Sequence, residues 1–253
     1  MKLNYRAFGE GPPLLILHGL FGSSDNWQTH ARRYAEHYSV YLIDQRNHGQ
    51  SPHDTHINYD AMADDLFELV AEMGLRDVRL IGHSMGGKTI LRFAQQYSFL
   101  IDRMIVADMG IRAYPPHHDE VFKGLFAVDV DHCTSRKDAE SRLMEYVSDA
   151  GTLQFLLKNL YWKEPGKLAW RFNLEALYAE RENLMAALPL DRVDATTLFL
   201  LGGKSHYVVP TDYNHILSVV PHATFEVMPE CGHWLHAEDP AGFIERSFSF
   251  LNH

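Results

Sequence analysis

The run Gly82-His83-Ser84-Met85-Gly86 sets a serine between two glycines, directly after the apolar stretch 78–81 and directly before a helical pattern over 88–97. A strand that ends in a sharp turn and continues as a helix pushes the serine out at the tip, the setting of a nucleophile elbow. Side chains at 82 and 86 would collide with the neighbouring strand and helix, which is the physical reason for glycine there. A serine hydroxyl is a poor nucleophile at neutral pH and needs a base within hydrogen-bond reach. Chain order in such an arrangement puts a histidine last, after the final strand. Of the 16 histidines, His233 in Pro229-Glu230-Cys231-Gly232-His233-Trp234 has that place.

A carboxylate must then hold the imidazole tautomer and stabilise the imidazolium. The loop after the strand ending at Leu201 is the commonest location, but it reads Gly202-Gly203-Lys204-Ser205-His206-Tyr207 and has no acid before Asp212. Asp108 instead ends the apolar stretch 104–107, on the same sheet edge as Ser84. An aspartate closing a buried strand needs a partner, because unpaired burial of a charge is costly. Asp108 is the expected acid and Asp212 the alternative. Two preorganised N–H donors are needed for a tetrahedral oxyanion. Met85, at the positive end of the following helix, is one; Leu20, in His18-Gly19-Leu20-Phe21-Gly22, is the other, with Phe21 as its alternative.

These residues require a sheet to carry them. Residues 3–8 alternate as a half-buried edge strand; 14–17, 39–43, 78–81 and 104–107 read as buried strands, with a helix predicted over 59–73. Such a rhythm means an α/β protein whose mostly parallel sheet has helices on both faces. It breaks over 112–189, where helical patterns at 139–147, 152–160 and 172–184 replace strands. It resumes with strands at 197–201 and 224–228 and a helix over Pro240–Leu251. Residues 1–111 and 190–253 are therefore expected to form the core, with 112–189 a helical lid over the edge where open α/β sheets bind ligands.

Composition bounds the rest. The chain has 253 residues, 46% of them hydrophobic, enough for one large α/β domain with a buried core. A formal net charge of −10 and no basic stripe argue against nucleic acid as a partner. Two cysteines outside any CxxC pair point to a reducing compartment. Without an apolar signal core or a run of roughly 18 apolar residues, a cytoplasmic location and no membrane span are expected.

His18-Gly19, Asp44-Gln45-Arg46-Asn47-His48-Gly49-Gln50-Ser51, Gly82-His83-Ser84-Met85-Gly86-Gly87 and Gly232-His233 together resemble the α/β-hydrolase superfamily over essentially the whole chain. The Arg-Asn-His-Gly wording and the missing late aspartate look more like one subgroup, small lidded bacterial carboxylesterases related to a mitochondrial abhydrolase. The resemblance implies the α/β-hydrolase fold, the acid and the lid after strand 6, and hydrolysis of small acyl esters or thioesters. A C–C bond hydrolase, a cofactor-free perhydrolase or a non-catalytic ligand receptor would keep the same residues. A haloalkane- or epoxide-opening enzyme of this fold would carry an aspartate at position 84.

Phe21, Phe155, Trp162, Tyr207 and Trp234 are the expected lining of an apolar acyl pocket. Asp44, Arg46 and Gly49 read as a turn held by hydrogen bonds and an arginine pair. Cys231, His233 and His236 have metal-like spacing but lack converging ligands, so neither metal nor cofactor is expected. His117, His118, His132 and Cys133 read as solvated. Lys158, Lys163, Lys167 and Arg171 read as a solvated basic face, with an anion landing site as the sharper alternative.

Overall fold

The computed structural model describes residues 1–115, 118–133 and 135–252. Its strands are β1 (Tyr5–Phe8), β2 (Pro13–Leu17), β3 (Ser39–Ile43), β4 (Val78–His83), β5 (Ile101–Ala107), β6 (Leu160–Glu164), β7 (Lys167–Trp170), β8 (Thr196–Gly202) and β9 (Ala223–Met228). Its helices are α1 (Gln28–Tyr34), α2 (Tyr59–Glu72), α3 (Met85–Tyr97), α4 (Asp119–Ala127), α5 (Arg136–Met144), α6 (Ala150–Leu157), α7 (Leu174–Ala179), α8 (Arg181–Met185), α9 (Tyr213–Val219), α10 (Leu235–Glu238) and α11 (Pro240–Leu251). Seven strands form one sheet in the order β1-β3-β2-β4-β5-β8-β9. All its pairings are parallel except that of the edge strand β1 with β3.

Continuous apolar runs form the central strands because both faces are covered. Leu15, Leu17, Leu80 and Val106 face one core with α2 and α3, while Leu14, Ile16, Ile81 and Ile105 face the other with α1 and α11. The period of two thus sorts a single apolar run into two cores. Helix starts are capped locally: Asn58 Oδ1 accepts from Ala61 N at 2.8 Å, and Asp239 Oδ1 accepts from Gly242 N at 2.9 Å, with Pro240 at the first turn of α11.

Between β5 and β8 the chain leaves the sheet and builds α4 to α8 and a two-stranded hairpin, β6 with β7. Three expectations need correcting here. Only five sheet strands precede the insert among the described residues, so it follows the fifth strand in chain order rather than a sixth. The insert is not purely helical: the 152–160 helix stops at Leu157, and the Pro165-Gly166 turn, with Gly166 at φ 81°, closes the hairpin. The 172–184 helix is two short ones, broken at Glu180 (φ −101°, ψ 9°).

The insert's two ends are stitched to each other, with Tyr114 N donating to Met185 O at 2.9 Å and Leu188 N to Ile111 O at 2.8 Å. Lys88 of α3, fully buried, reaches the same stem, donating to Ala186 O at 2.6 Å and to Arg112 O at 3.4 Å. Lys158, Lys163 and Lys167 are exposed, and Arg171 stacks over Tyr161 at 4.8 Å. Cys133 is buried, contrary to its reading as solvated, whereas His132 is exposed and pairs with Asp129. His117 lies outside the described residues. No helix among them is long and apolar enough to cross a membrane.

Candidate active site

Ser84 sits between β4 and α3 with φ 52° and ψ −119°, a backbone conformation that L-residues rarely adopt. Neighbouring contacts enforce it. A Cβ at Gly82 would lie 2.3 Å from Gly86 O, and one at Gly86 would lie 2.5 Å from Leu17 O. Ser84 N donates to Ala107 O at 3.1 Å, and Ser84 O accepts from Gly87 N at 2.8 Å as α3 begins. The strained residue is therefore held from both sides, with its side chain half-buried.

Asp108 follows β5 at φ 47° and is 1% exposed. Its buried charge is fully occupied: Oδ1 accepts from Gly202 N at 2.9 Å, and Oδ2 accepts from Ser205 Oγ and from His233 Nδ1, the latter at 2.7 Å. That bond puts the imidazole proton on Nδ1 and leaves Nε2 with a free lone pair. Asp212 is elsewhere, paired with Arg112 at 3.3 Å and accepting from Val209 N at 3.0 Å. Ser205, in the loop where the acid is most commonly found, contributes a donor to Asp108 instead. His233 is further fixed by His83, whose Nε2–H donates to His233 O at 2.8 Å, and by the Tyr207 ring stacked 3.9 Å away. Burial and the neighbouring His233 hold His83 well below the usual histidine range, so it stays neutral.

The loop of Leu20 faces Ser84 and is held through its neighbour. Phe21 has φ 59°; its N–H donates to His48 Nε2 at 3.2 Å and its carbonyl accepts from Asn159 Nδ2 at 2.8 Å. With Phe21 N–H spent, the amides of Leu20 and Met85 remain without a protein acceptor among the described residues. His48 donates through Nδ1 to Arg46 O at 2.9 Å, and burial pushes its pKa down to about 3, which keeps Nε2 an acceptor. The motif read as a turn has that structure: Arg46 pairs with Asp65 at 2.6 Å, and Asp44 accepts from Asn4, Ser24 and Gln50. The role of His48 and Asn159 in holding Phe21 has no local sequence signal, because their partners lie 27 and 138 residues away.

Ser84, His233 and Leu20 line one cavity of about 260 Å³. Phe21, Phe155, Tyr207 and Trp234 line it as expected, and Val121, Thr152 and Leu156 of the insert join them. Trp162 does not. It lies on β6 of the hairpin, past the expected 152–160 helix, on the exposed part of that strand, and is 46% exposed. No hydrogen bond joins Ser84 Oγ to His233 in this structure. Among the described residues no group of three or more His, Cys, Asp or Glu side chains is arranged to hold a metal ion; His236 stacks on Trp27 at 4.3 Å instead.

The family model described as the alpha/beta hydrolase fold matches residues 12–240. A putative esterase/lipase of Haemophilus influenzae is 39% identical over 242 residues, covering 95% of this chain and 83% of that protein. The sn-1-specific diacylglycerol lipase ABHD11 of Mus musculus is 38% identical over 250 residues, covering 95% and 81%. A marine microorganism esterase of known structure superposes with a TM-score of 0.96 at 37% identity, covering 99% of both chains.

Proposed function

As the chain belongs to the α/β-hydrolase family and is a carboxylic ester hydrolase, we propose that it cleaves small acyl esters or thioesters through Ser84, His233 and Asp108. The observation that carries this reading is the 2.7 Å bond from His233 Nδ1 to a fully satisfied Asp108, in a cavity that also exposes Ser84. His233 Nε2 takes the Ser84 proton as Oγ attacks the acyl carbon, and returns it to the leaving oxygen or sulfur. The Leu20 and Met85 amides receive the oxyanion, and Asp108 stabilises the imidazolium. Water then repeats the sequence on the acyl-enzyme. The insert over residues 112–189 acts as a lid, its Val121, Phe155 and Leu156 keeping the reacting bond in an apolar wall.

Ser84→Ala is expected to abolish turnover of 4-nitrophenyl acetate. Asp108→Asn should lower kcat by about 10³–10⁴-fold with the fold intact, while Asp212→Asn, which loses the ion pair with Arg112 but keeps an oxygen to accept from Val209 N, should not. The reverse pattern in steady-state kinetics of the two variants would reassign the acid.

A further inference from the structure

Beyond Leu20 the cavity continues into the insert. A narrow space of about 20 Å³ lies between Leu20, Phe122 and Met185, and it shares Leu20 and His118 with the catalytic cavity. On its other side it shares Asp119, Arg181, Glu182 and Met185 with an outer pocket of about 410 Å³. The three spaces thus adjoin through shared walls, and at the outer one the Glu182 side chain is largely exposed. The neck presents hydrocarbon. The outer end is charged, with Arg181 3.9 Å from Asp119 and 3.7 Å from Glu182.

Reaction chemistry gives the two ends of the cavity different tasks. A leaving group must take its proton from His233 Nε2, so the alcohol or thiol half lies on the His233 side. The acyl carbon, bonded to Ser84 with its oxygen toward the Leu20 amide, sends its chain away from the leaving group. We propose that the neck and the outer pocket form an acyl-chain channel for linear chains too long for the inner cavity, with Met185 its gate. This rests on the roles assigned above to Ser84 and His233. A space of about 20 Å³ is little more than the roughly 10–15 Å³ that a single water needs and is too small for a run of methylenes, so a wall must move to pass a chain. Leu20 is fixed in the donor loop and Phe122 is 1% exposed, packed on Phe21 at 5.2 Å. Met185, half-buried at the end of α8, is unbranched with three rotatable bonds and can swing aside. Beyond it, Ala113, Tyr114 and Ala186 give a chain apolar contact in the outer pocket, and the charges of Asp119, Arg181 and Glu182 there set the upper length.

The test is the ratio of kcat/KM for 4-nitrophenyl decanoate over 4-nitrophenyl acetate in wild type, Met185→Ala and Met185→Trp. Opening the gate should raise the ratio about tenfold and filling it should lower the ratio about tenfold, the effect of granting or denying burial to about two methylenes. Should Met185→Trp fail to fold, Met185→Ala decides alone. A ratio unchanged in Met185→Ala overturns the channel whatever the other variant does. Failure of the serine reading is separately visible, as acetate turnover that persists in Ser84→Ala.

Discussion

Asp108, Ser84 and Phe21 all have positive φ without being glycine, and each is pinned by neighbours that belong to other elements. Strain of this kind persists only where the surroundings over-determine it. For Phe21 the pins are His48 and Asn159. His48→Phe would remove the acceptor for Phe21 N–H and free the loop that aims the Leu20 amide. It is expected to lower kcat by about tenfold to 10²-fold, below the 10²–10³ typical of losing a donor outright, with a smaller change in KM; stopped-flow acylation kinetics check it. Ser84 and His233 were legible because glycines and chain order mark them, and Asp108 because a buried strand ended in a charge. Trp162 has the aromatic character of a pocket residue, but its exposure depends on the hairpin that carries it, which the residue type does not show.

At the level of elements, the buried strands and α11 could be read directly: unbroken apolar runs for the former, the Asp239-Pro240 start for the latter. The hairpin could not, since β6 ends in Lys163 and Glu164 without alternation and β7 alternates over only four residues. The contact between α3 and the insert's stem is likewise long-range. Lys88 lies between Tyr59 and Tyr114 at 5.5 and 5.0 Å from their rings, and burial pulls its pKa down to about 8. Its charge is therefore a cost to the folded state. The unfolded lysine stays protonated to about 10.5, so between these values the unfolded state binds more protons and folding gains as pH rises. Wild type should gain stability relative to Lys88→Met between pH 8 and 10.5, read from urea midpoints. A constant difference across that window would mean that the amine is solvated. Neutral Lys88 still has two N–H groups for Ala186 O and Arg112 O, so the stem survives the titration.

For the molecule as a whole, burial sets the acid limit. His18, His30, His48, His83 and His236 are all buried, and burial lowers each below the ordinary value of 6.5. As pH falls through 6.5 the unfolded chain takes up these protons and the native one does not, so stability is lost on the acid side and kept above it. Each fully shifted histidine contributes a slope of about 1.4 kcal/mol per pH unit. Unfolding free energy should therefore fall as pH drops below 6.5, and His30→Gln should flatten that slope. Equal slopes in chemical denaturation would exclude His30 from the effect. The stitched stem has a different consequence. Because Ile111 and Leu188 meet across one hydrogen bond, everything between them begins and ends at nearly one point. Lengthening, shortening or exchanging that segment alters a closed loop, whose entropy grows only slowly with length, and leaves the sheet register untouched. Descendants of this chain can thus inherit new cavity walls as a single cassette, provided it keeps an amide in the place of Asn159 to hold Phe21 O, while the serine, histidine and aspartate stay where they are.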